Sequence, residues 1–128
     1  MIGESKSMNQ IGVGGIILGE KEKTYLQEVI DSNRLSYGPF SKRFEQEFAK
    51  LHGVKFGLFM NSGTSALQVA LAAMKEKYQW HDGDEVIVPA ATFIATANIV
   101  VQYGLVPVFV DSDETYNIDP LKIESIAT

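Results

Sequence analysis

The chain contains no cysteine. Thiolate catalysis, disulfide scaffolding and cysteine-ligated metal sites are therefore outside its chemistry. Histidine is nearly as scarce: His52 and His81 are the only two, too little material for an ordinary zinc site. Basic charge is in the minority, with 11 Lys and Arg against 16 Asp and Glu and a formal net charge of −5. That balance disfavours a nucleic-acid binder. No uninterrupted apolar run approaches the roughly 18 residues of a membrane span. The opening MIGESKSMNQIGVGG lacks the basic-then-apolar order of a secretory leader. A cytoplasmic location is the default expectation, and the lack of cysteine agrees with it.

What is present is 128 residues, 45% hydrophobic and 21% charged. That is enough for one domain with a real core, and it excludes a wholly disordered chain. Residues 1–19 are polar and then glycine-rich, with Gly12, Gly14, Gly15 and Gly19 in IGVGGIILG. The spacing does not match G-x-G-x-x-G, so the segment reads as an extended N-terminal arm. From Gly19 to Ser32 the pattern is helical, with Tyr25, Leu26, Val29 and Ile30 at helical spacing. Gly38-Pro39 breaks the chain, and Ser41 is placed to cap a second helix that carries Phe44, Phe48 and Leu51 on one face. Gly53 ends it.

Residues 54–60, VKFGLFM, read as a short buried strand, followed by the turn Asn61-Ser62-Gly63-Thr64. Leu67, Ala70, Leu71 and Met74 then mark the clearest helix in the chain. A second strand is expected at Glu85–Val88, closed by Pro89. A helix follows over Thr92–Tyr103, with Thr92 at its cap and Gly104 as its stop. A third strand is expected at Val106–Val110, and Asn117 or Asp119 can cap a final helix. Strand and helix alternate, so the fold class is α/β: a three-layer α/β/α arrangement with a mainly parallel sheet. Three strands make an unfinished layer, so residues 20–128 are expected to be the N-terminal portion of a larger domain.

Ligands of open parallel sheets sit beyond the carboxyl ends of the strands. Three segments lie there. In the first, Ser62, Gly63, Thr64 and Ser65 stand where a strand turns into a helix. Free backbone N–H groups, two hydroxyls and a glycine suit a compact phosphate monoester; plain helix capping accounts for the same residues. No lysine follows, so this is not a Walker A loop. In the second, Phe93 is either core or a ring placed to stack on a flat heteroaromatic ligand. In the third, Asp111 and Asp113 have no third ligand for a metal and read as polar ends of a strand. Tyr37, Gly38 and Pro39 form a turn that is either ordinary or substrate-facing. His52 belongs to a helix end and His81 to a surface turn. Neither gives Ser62 a triad.

The ordered set NSGTSAL, GDEVIVPAATFIATANIV and PVFVDSDETYNIDP, with LSYGPFSKRFEQEFAKLHG before it, resembles the DegT/StrS-type sugar aminotransferases. These are pyridoxal-phosphate (PLP) enzymes of the aspartate aminotransferase fold class, also called fold type I. The resemblance implies that Gly63, Thr64 and Ser65 hold the cofactor phosphate and that Phe93 stacks on its ring, with Thr92 beside it. Tyr37 and Gly38 would border the nucleotide-sugar pocket. It further implies amino transfer from a donor, usually L-glutamate, to a nucleotide-linked keto-deoxysugar, in homodimers with shared active sites. A dehydrase that replaces the family's lysine by histidine is the close alternative. Lys50, Lys55, Lys75, Lys77 and Lys122 do not stand in the context of the lysine that reacts with the cofactor, and Asp111 does not stand in that of the acid beneath the pyridine nitrogen. No catalytic residue is therefore assigned, and this stretch alone is expected to be inactive. An inactive remnant that binds a partner subunit or PLP without turnover is the reading from a different class.

Overall fold

A computed structural model describes residues 15–126. The glycines at 12 and 14, and most of the expected arm, lie outside them. The chain divides into two units, Met1–Val54 and Lys55–Thr128.

In the first unit, α1 spans Glu20–Asp31 and α2 spans Pro39–Leu51. Gly19 has no side chain to offer α1, so only the returning half of a capping box forms: Glu22 Oε2 accepts the Gly19 N–H at 2.9 Å. The N-cap of α2 is Gly38, not Ser41, and Pro39 opens the helix. Proline at the first position loses nothing, because that N–H has no intrahelical acceptor. Gly38 is extended, as a residue before proline must be. The helices meet through Tyr25 and Phe40, ring centroids 5.4 Å apart, with the Arg43 guanidinium 4.8 Å from the Tyr25 ring. α2 ends as expected. Gly53 is left-handed at φ +64°, its N–H reaches Lys50 O at 3.2 Å, and the Val54 N–H reaches Ala49 O at 3.0 Å. The His52 ring packs on Phe48, centroids 4.3 Å apart.

In the second unit the order is α3 (Gly63–Tyr78), β1 (Glu85–Pro89), α4 (Ala95–Gln102), β2 (Val106–Val110) and the short α5 (Pro120–Ile123). β1 and β2 are parallel, in register from Glu85 opposite Val106 to Pro89 opposite Val110. Pro107 is tolerated because ladder donors alternate. The Val106 N–H donates to Asp84 O at 2.9 Å, so the next nitrogen faces away from β1.

Two expectations are corrected. Residues 54–60 form no strand. No strand ladder is assigned to them among the described residues, and Phe56 and Leu58 are 74% and 71% exposed. The expected βαβαβ is thus a βαβ unit preceded by α3 and a segment without assigned strand structure. A strand needs a neighbour for its ladder, and composition alone supplies none. The fourth helix starts at Ala95, not Thr92. Its N-cap is Ile94, with no side-chain cap. The expected final cap is Asp119, whose carboxylate accepts the Leu121 N–H.

The core of this unit is Val88 of β1, Val100 of α4 and Leu105 just beyond it, with Leu71, Trp80, Val86 and Tyr103 packed around them. Gly104 makes that grouping possible. It is left-handed at φ +73°, its N–H donates to Val101 O, and the Leu105 N–H donates to Val100 O, both at 3.0 Å. This is the Schellman closure, in which the residue after the left-handed one, Leu105, comes into apolar contact with Val100, five positions back. α3 ends in the same hydrogen-bond pattern with Gln79 in the left-handed place, at φ 56°. A polar clip joins the two helix ends. Lys75 Nζ of α3 donates to Asp82 Oδ1 and, at 2.6 Å, to Tyr103 O.

Two predictions concern this junction. A Cβ at Gly104 would lie 2.6 Å from Asp82 Oδ1 and would occupy a left-handed backbone. Gly104→Ala should therefore destabilise the unit by about 1–3 kcal/mol in urea unfolding, and Leu105→Ala by about 2–4 kcal/mol. The hydrogen bond from Lys75, and then its charge, hold Asp82 below the ordinary carboxylate value of 3.8. A depressed carboxylate stabilises the fold above its unfolded pKa, and that contribution disappears as pH falls through the folded one. The urea midpoint should accordingly fall with acidification below about pH 4 more steeply in the parent chain than in Asp82→Asn. Parallel curves would remove the clip from the account.

Candidate functional site

The N-terminus of α3 is built by Ser62. Its backbone is extended, and its hydroxyl oxygen accepts the Ser65 N–H at 3.1 Å. The same hydroxyl donates to Ser65 Oγ at 3.1 Å. The Ala66 N–H returns to Ser62 O. Within the helix, the N–H groups of Gly63 and Thr64 donate to no partner among the described residues and are left for another acceptor. A 16-residue helix directs the positive end of its dipole at the same point.

Gly63 is not there for its backbone angles. It sits in the helix, outside the left-handed region, and a Cβ added to it meets nothing within 4 Å. The open space is a cleft of about 630 Å³ lined by Gly63, Thr64, Ala66 and Leu67 of α3 and by Phe93, Ala95 and Thr96 at the start of α4. Ala70 closes it. The small residues leave width between the two helices. Phe93 follows the carboxyl end of β1 and is 74% exposed, so it is not a core residue.

Of the expected site residues, Gly63, Thr64 and Phe93 meet in this cleft. Ser65 stands on the same helix turn, engaged with Ser62. Thr92 does not cap α4. Its Oγ1 lies 3.2 Å from Thr96 Oγ1, one turn on. Thr96 was not singled out from sequence, although the i, i+4 spacing of two threonines at a helix start is a readable signal. Tyr37 and Gly38 belong to the first unit. The Tyr37 hydroxyl donates to Glu45 Oε2 at 2.5 Å, and the Arg34 Nε–H donates to Tyr37 O at 3.0 Å. That carboxylate acceptor, then burial, raises the Tyr37 pKa above 10.0, so the phenol keeps its proton. Gly38 is buried.

Asp111 and Asp113 do not converge. Asp111 accepts the Ser112 N–H at 2.9 Å and pairs with Lys122 at 3.4 Å. Asp113 accepts both the N–H and the hydroxyl of Thr115. These partners hold both carboxyls below the usual range. No group of three His, Cys, Asp or Glu among the described residues is placed to hold a metal ion. Among them, too, no helix is long and apolar enough to cross a membrane.

The donor set fits a phosphate monoester carried on a flat ring. Two free N–H groups and the hydroxyls of Thr64 and Ser65 can face the phosphate, Gly63 leaves the approach clear, and Phe93 supplies an apolar surface on the facing wall. Comparison with known proteins agrees with that shape. The DegT/DnrJ/EryC1/StrS aminotransferase family model matches residues 17–128, and the chain belongs to that family. GDP-perosamine synthase of Caulobacter vibrioides is 42% identical over 121 residues, which cover 93% of this chain and 32% of that protein. GDP-4-keto-6-deoxy-D-mannose 3-dehydratase of Yersinia pseudotuberculosis is 40% identical over 112 residues, 85% of this chain and 28% of that protein. The solved structure of the E. coli GDP-4-keto-6-deoxy-D-mannose-3-dehydratase, which holds hydrated PLP, superposes with a TM-score of 0.85 at 33% identity. The superposition covers 95% of this chain and 32% of that one. The chain thus spans about a third of the length of these relatives.

The position of Gly63 gives a prediction that separates folding from binding. Gly63→Ala should leave the unfolding free energy unchanged or raise it by up to about 0.5–1 kcal/mol, because alanine suits a helix better. The same variant should weaken binding of inorganic phosphate or of PLP, since its methyl group stands in the cleft. A destabilised fold with unaltered phosphate binding would remove Gly63 from the site.

Proposed function

We propose that the subunit carrying this chain is a PLP-dependent enzyme of nucleotide-sugar metabolism. In this reading it moves an amino group from an amino-acid donor, L-glutamate, to a nucleotide-linked keto-deoxysugar. The observation that carries the reading is the cleft that brings the free N–H groups of Gly63 and Thr64 opposite Phe93. The family match and the PLP in the E. coli relative support it. PLP, when bound, supplies an electron sink for moving an amino group between an amino acid and a keto sugar.

This chain's own residues bind and orient. Gly63 and Thr64 donate backbone N–H groups to the phosphate, and the Thr64 and Ser65 hydroxyls add donors. These donors are neutral, so the helix terminus itself carries the electrostatic work. Phe93 shields one face of the ring from water and fixes its plane. Tyr37, whose proton is engaged by Glu45, presents its ring and an acceptor oxygen at the edge of the nucleotide-sugar pocket beside Gly38, and Thr92 presents a hydroxyl near the ring. The residues lining the cleft include no lysine. The lysine that reacts with the cofactor is assigned to the remainder of the subunit, which is taken to act as a cytoplasmic homodimer.

A second reading, dehydration of the same class of sugar, has a specific basis. Relatives named for perosamine synthesis and for 3-dehydration match this chain at 42% and 40% identity. Residues that serve both reactions are those that hold what both share. The present cleft therefore belongs to binding, and the choice of reaction belongs to the group that handles the proton.

The test measures PLP and pyridoxal binding to the complete subunit. Thr64→Ala and Ser65→Ala should each weaken PLP by about tenfold, the scale of one hydrogen bond to a charged group. Pyridoxal, which lacks the phosphate, should be affected less than about twofold. Unchanged PLP affinity in both variants and in Phe93→Ala would refute the assignment. With glutamate and a nucleotide-linked 4-keto-6-deoxysugar, amino sugar and 2-oxoglutarate formed in equal amounts would support transfer. A sugar that has lost a hydroxyl oxygen would support dehydration.

A further inference from the structure

Among the described residues, little packs on Phe93. It is 74% exposed and stands outside α4, between the end of β1 and the first helical turn. Its neighbour Ile94, the N-cap, lends no side-chain hydrogen bond, and it too is largely exposed. A ring in that position needs some other restraint if it is to present one face to the cleft.

Thr96 supplies two restraints from one residue. Its backbone N–H donates to Phe93 O at 2.9 Å, and its hydroxyl meets the Thr92 hydroxyl at 3.2 Å. The segment 92–96 is thereby closed from both sides of Phe93. Thr96 is itself anchored, being half-buried beside the buried Ala95 and in the same helix as the buried Ile99 and Val100. A threonine here also has a local alternative, donation to the carbonyl one turn back. The rotamer present uses the hydroxyl for Thr92 instead.

We infer that Thr96 is a positioning residue: its hydroxyl bond to Thr92 and its N–H bond to Phe93 O hold the Phe93 ring at the cofactor cleft. This rests on the proposed PLP site and adds a residue to it. The action on the ligand passes through Phe93 and Thr92. The effect should therefore fall on contacts with the ring and spare those with the phosphate, which α3 makes.

The experiment uses the complete subunit and two probes. Pyridoxamine phosphate, which carries ring and phosphate but forms no bond to a lysine, is titrated by calorimetry. Inorganic phosphate is titrated by phosphorus NMR. Thr96→Val keeps the shape and removes the hydroxyl. It should weaken pyridoxamine phosphate by about fivefold, the scale of one neutral hydrogen bond. Inorganic phosphate should stay within about twofold of the parent, and Thr96→Ser should restore the parent affinity for both. Thr92→Val breaks the same hydroxyl pair from its exposed side and should reproduce the loss, and the double variant should lose no more than either single one; additive losses would show that each hydroxyl meets the ligand directly and would overturn the inference. Phe93→Ala separates the two claims. If it weakens pyridoxamine phosphate while both valine variants bind like the parent, the role of Thr96 is refuted and the cofactor site stands. If Phe93→Ala binds like the parent too, the ring contact at Phe93 is refuted and this inference with it, while the phosphate contacts of α3 are judged by Thr64→Ala and Ser65→Ala. Equal losses for both probes in Thr96→Val, or no rescue by serine, would show a general structural role and overturn the inference.

Discussion

The second unit depends on one reversal of chain direction, at Gly104. A left-handed residue there lets α4 end while Leu105 folds back onto Val100, and Val88 of β1 completes the contact. Those three residues are the buried apolar cluster around which the unit is organised. The turn is also wired into the ladder, since Gly104 O accepts the Gly83 N–H at 2.8 Å and the Val106 N–H donates to Asp84 O. One backbone conformation thus sets where α4 stops, where β2 starts and which residue of β1 lies opposite. A side chain at position 104 would disturb all three, because Asp82 occupies the space it would need.

The same junction governs the cleft at the other end of the helices. Lys75, in the last turn of α3, reaches Tyr103 at the end of α4 and Asp82 in the connecting turn. Gln68 Nε2, in the second turn of α3, donates to Oε1 of Gln102, the last residue of α4, at 3.0 Å. Helices are stiff over such lengths, roughly 24 Å for 16 residues. Fixing two of them at one end limits the separation of their beginnings. The N-terminus of α3 and the segment that carries Phe93 are then spaced by construction, with alanines between them. Stability is concentrated where the chain reverses, and open surface is left where a ligand can enter, as expected when binding groups stand at the carboxyl ends of strands.

Local signals carried most of the reading from sequence. Gly53 and Gly104 end helices in left-handed turns, Asp119 caps α5, and Val106–Val110 is a strand with the expected limits. Each is decided by a residue and its immediate neighbours. The cluster Gly63, Thr64 and Phe93 was legible for a similar reason. A glycine and hydroxyls that open a helix, and an aromatic residue between a strand and the next helix, are local signals, although residues 54–60 supply no strand before the first of them. What failed depended on partners. Residues 54–60 have the composition of a strand, but a ladder belongs to two segments, and the one ladder among the described residues joins β1 and β2. Ser41 and Thr92 have the right chemistry for caps. They lost to Gly38-Pro39, whose rigid φ starts α2 earlier, and to the turn at Phe93 and Ile94, which delays α4. Gln79 in a left-handed turn left no sign at all, because glutamine has no preference for that region.

The two hydroxyl clusters show how capping and binding divide one set of groups. At α3, Ser62 spends its hydroxyl on the Ser65 N–H and thereby fixes the turn, while Gly63 and Thr64 keep their N–H groups unengaged. If Ser62 had been turned outward, a ligand would meet three loose donors. With the cap closed it meets two donors on a rigid frame, and less ordering entropy is lost on binding. At α4 the logic is reversed. No side chain caps the helix, and the threonine pair holds the preceding loop instead of satisfying the helix end. In the proposed reading the first terminus receives charge and the second holds a ring beside it. Neither role requires a charged side chain in the cleft, so a dianionic group would be met by oriented dipoles that need no rearrangement when it arrives.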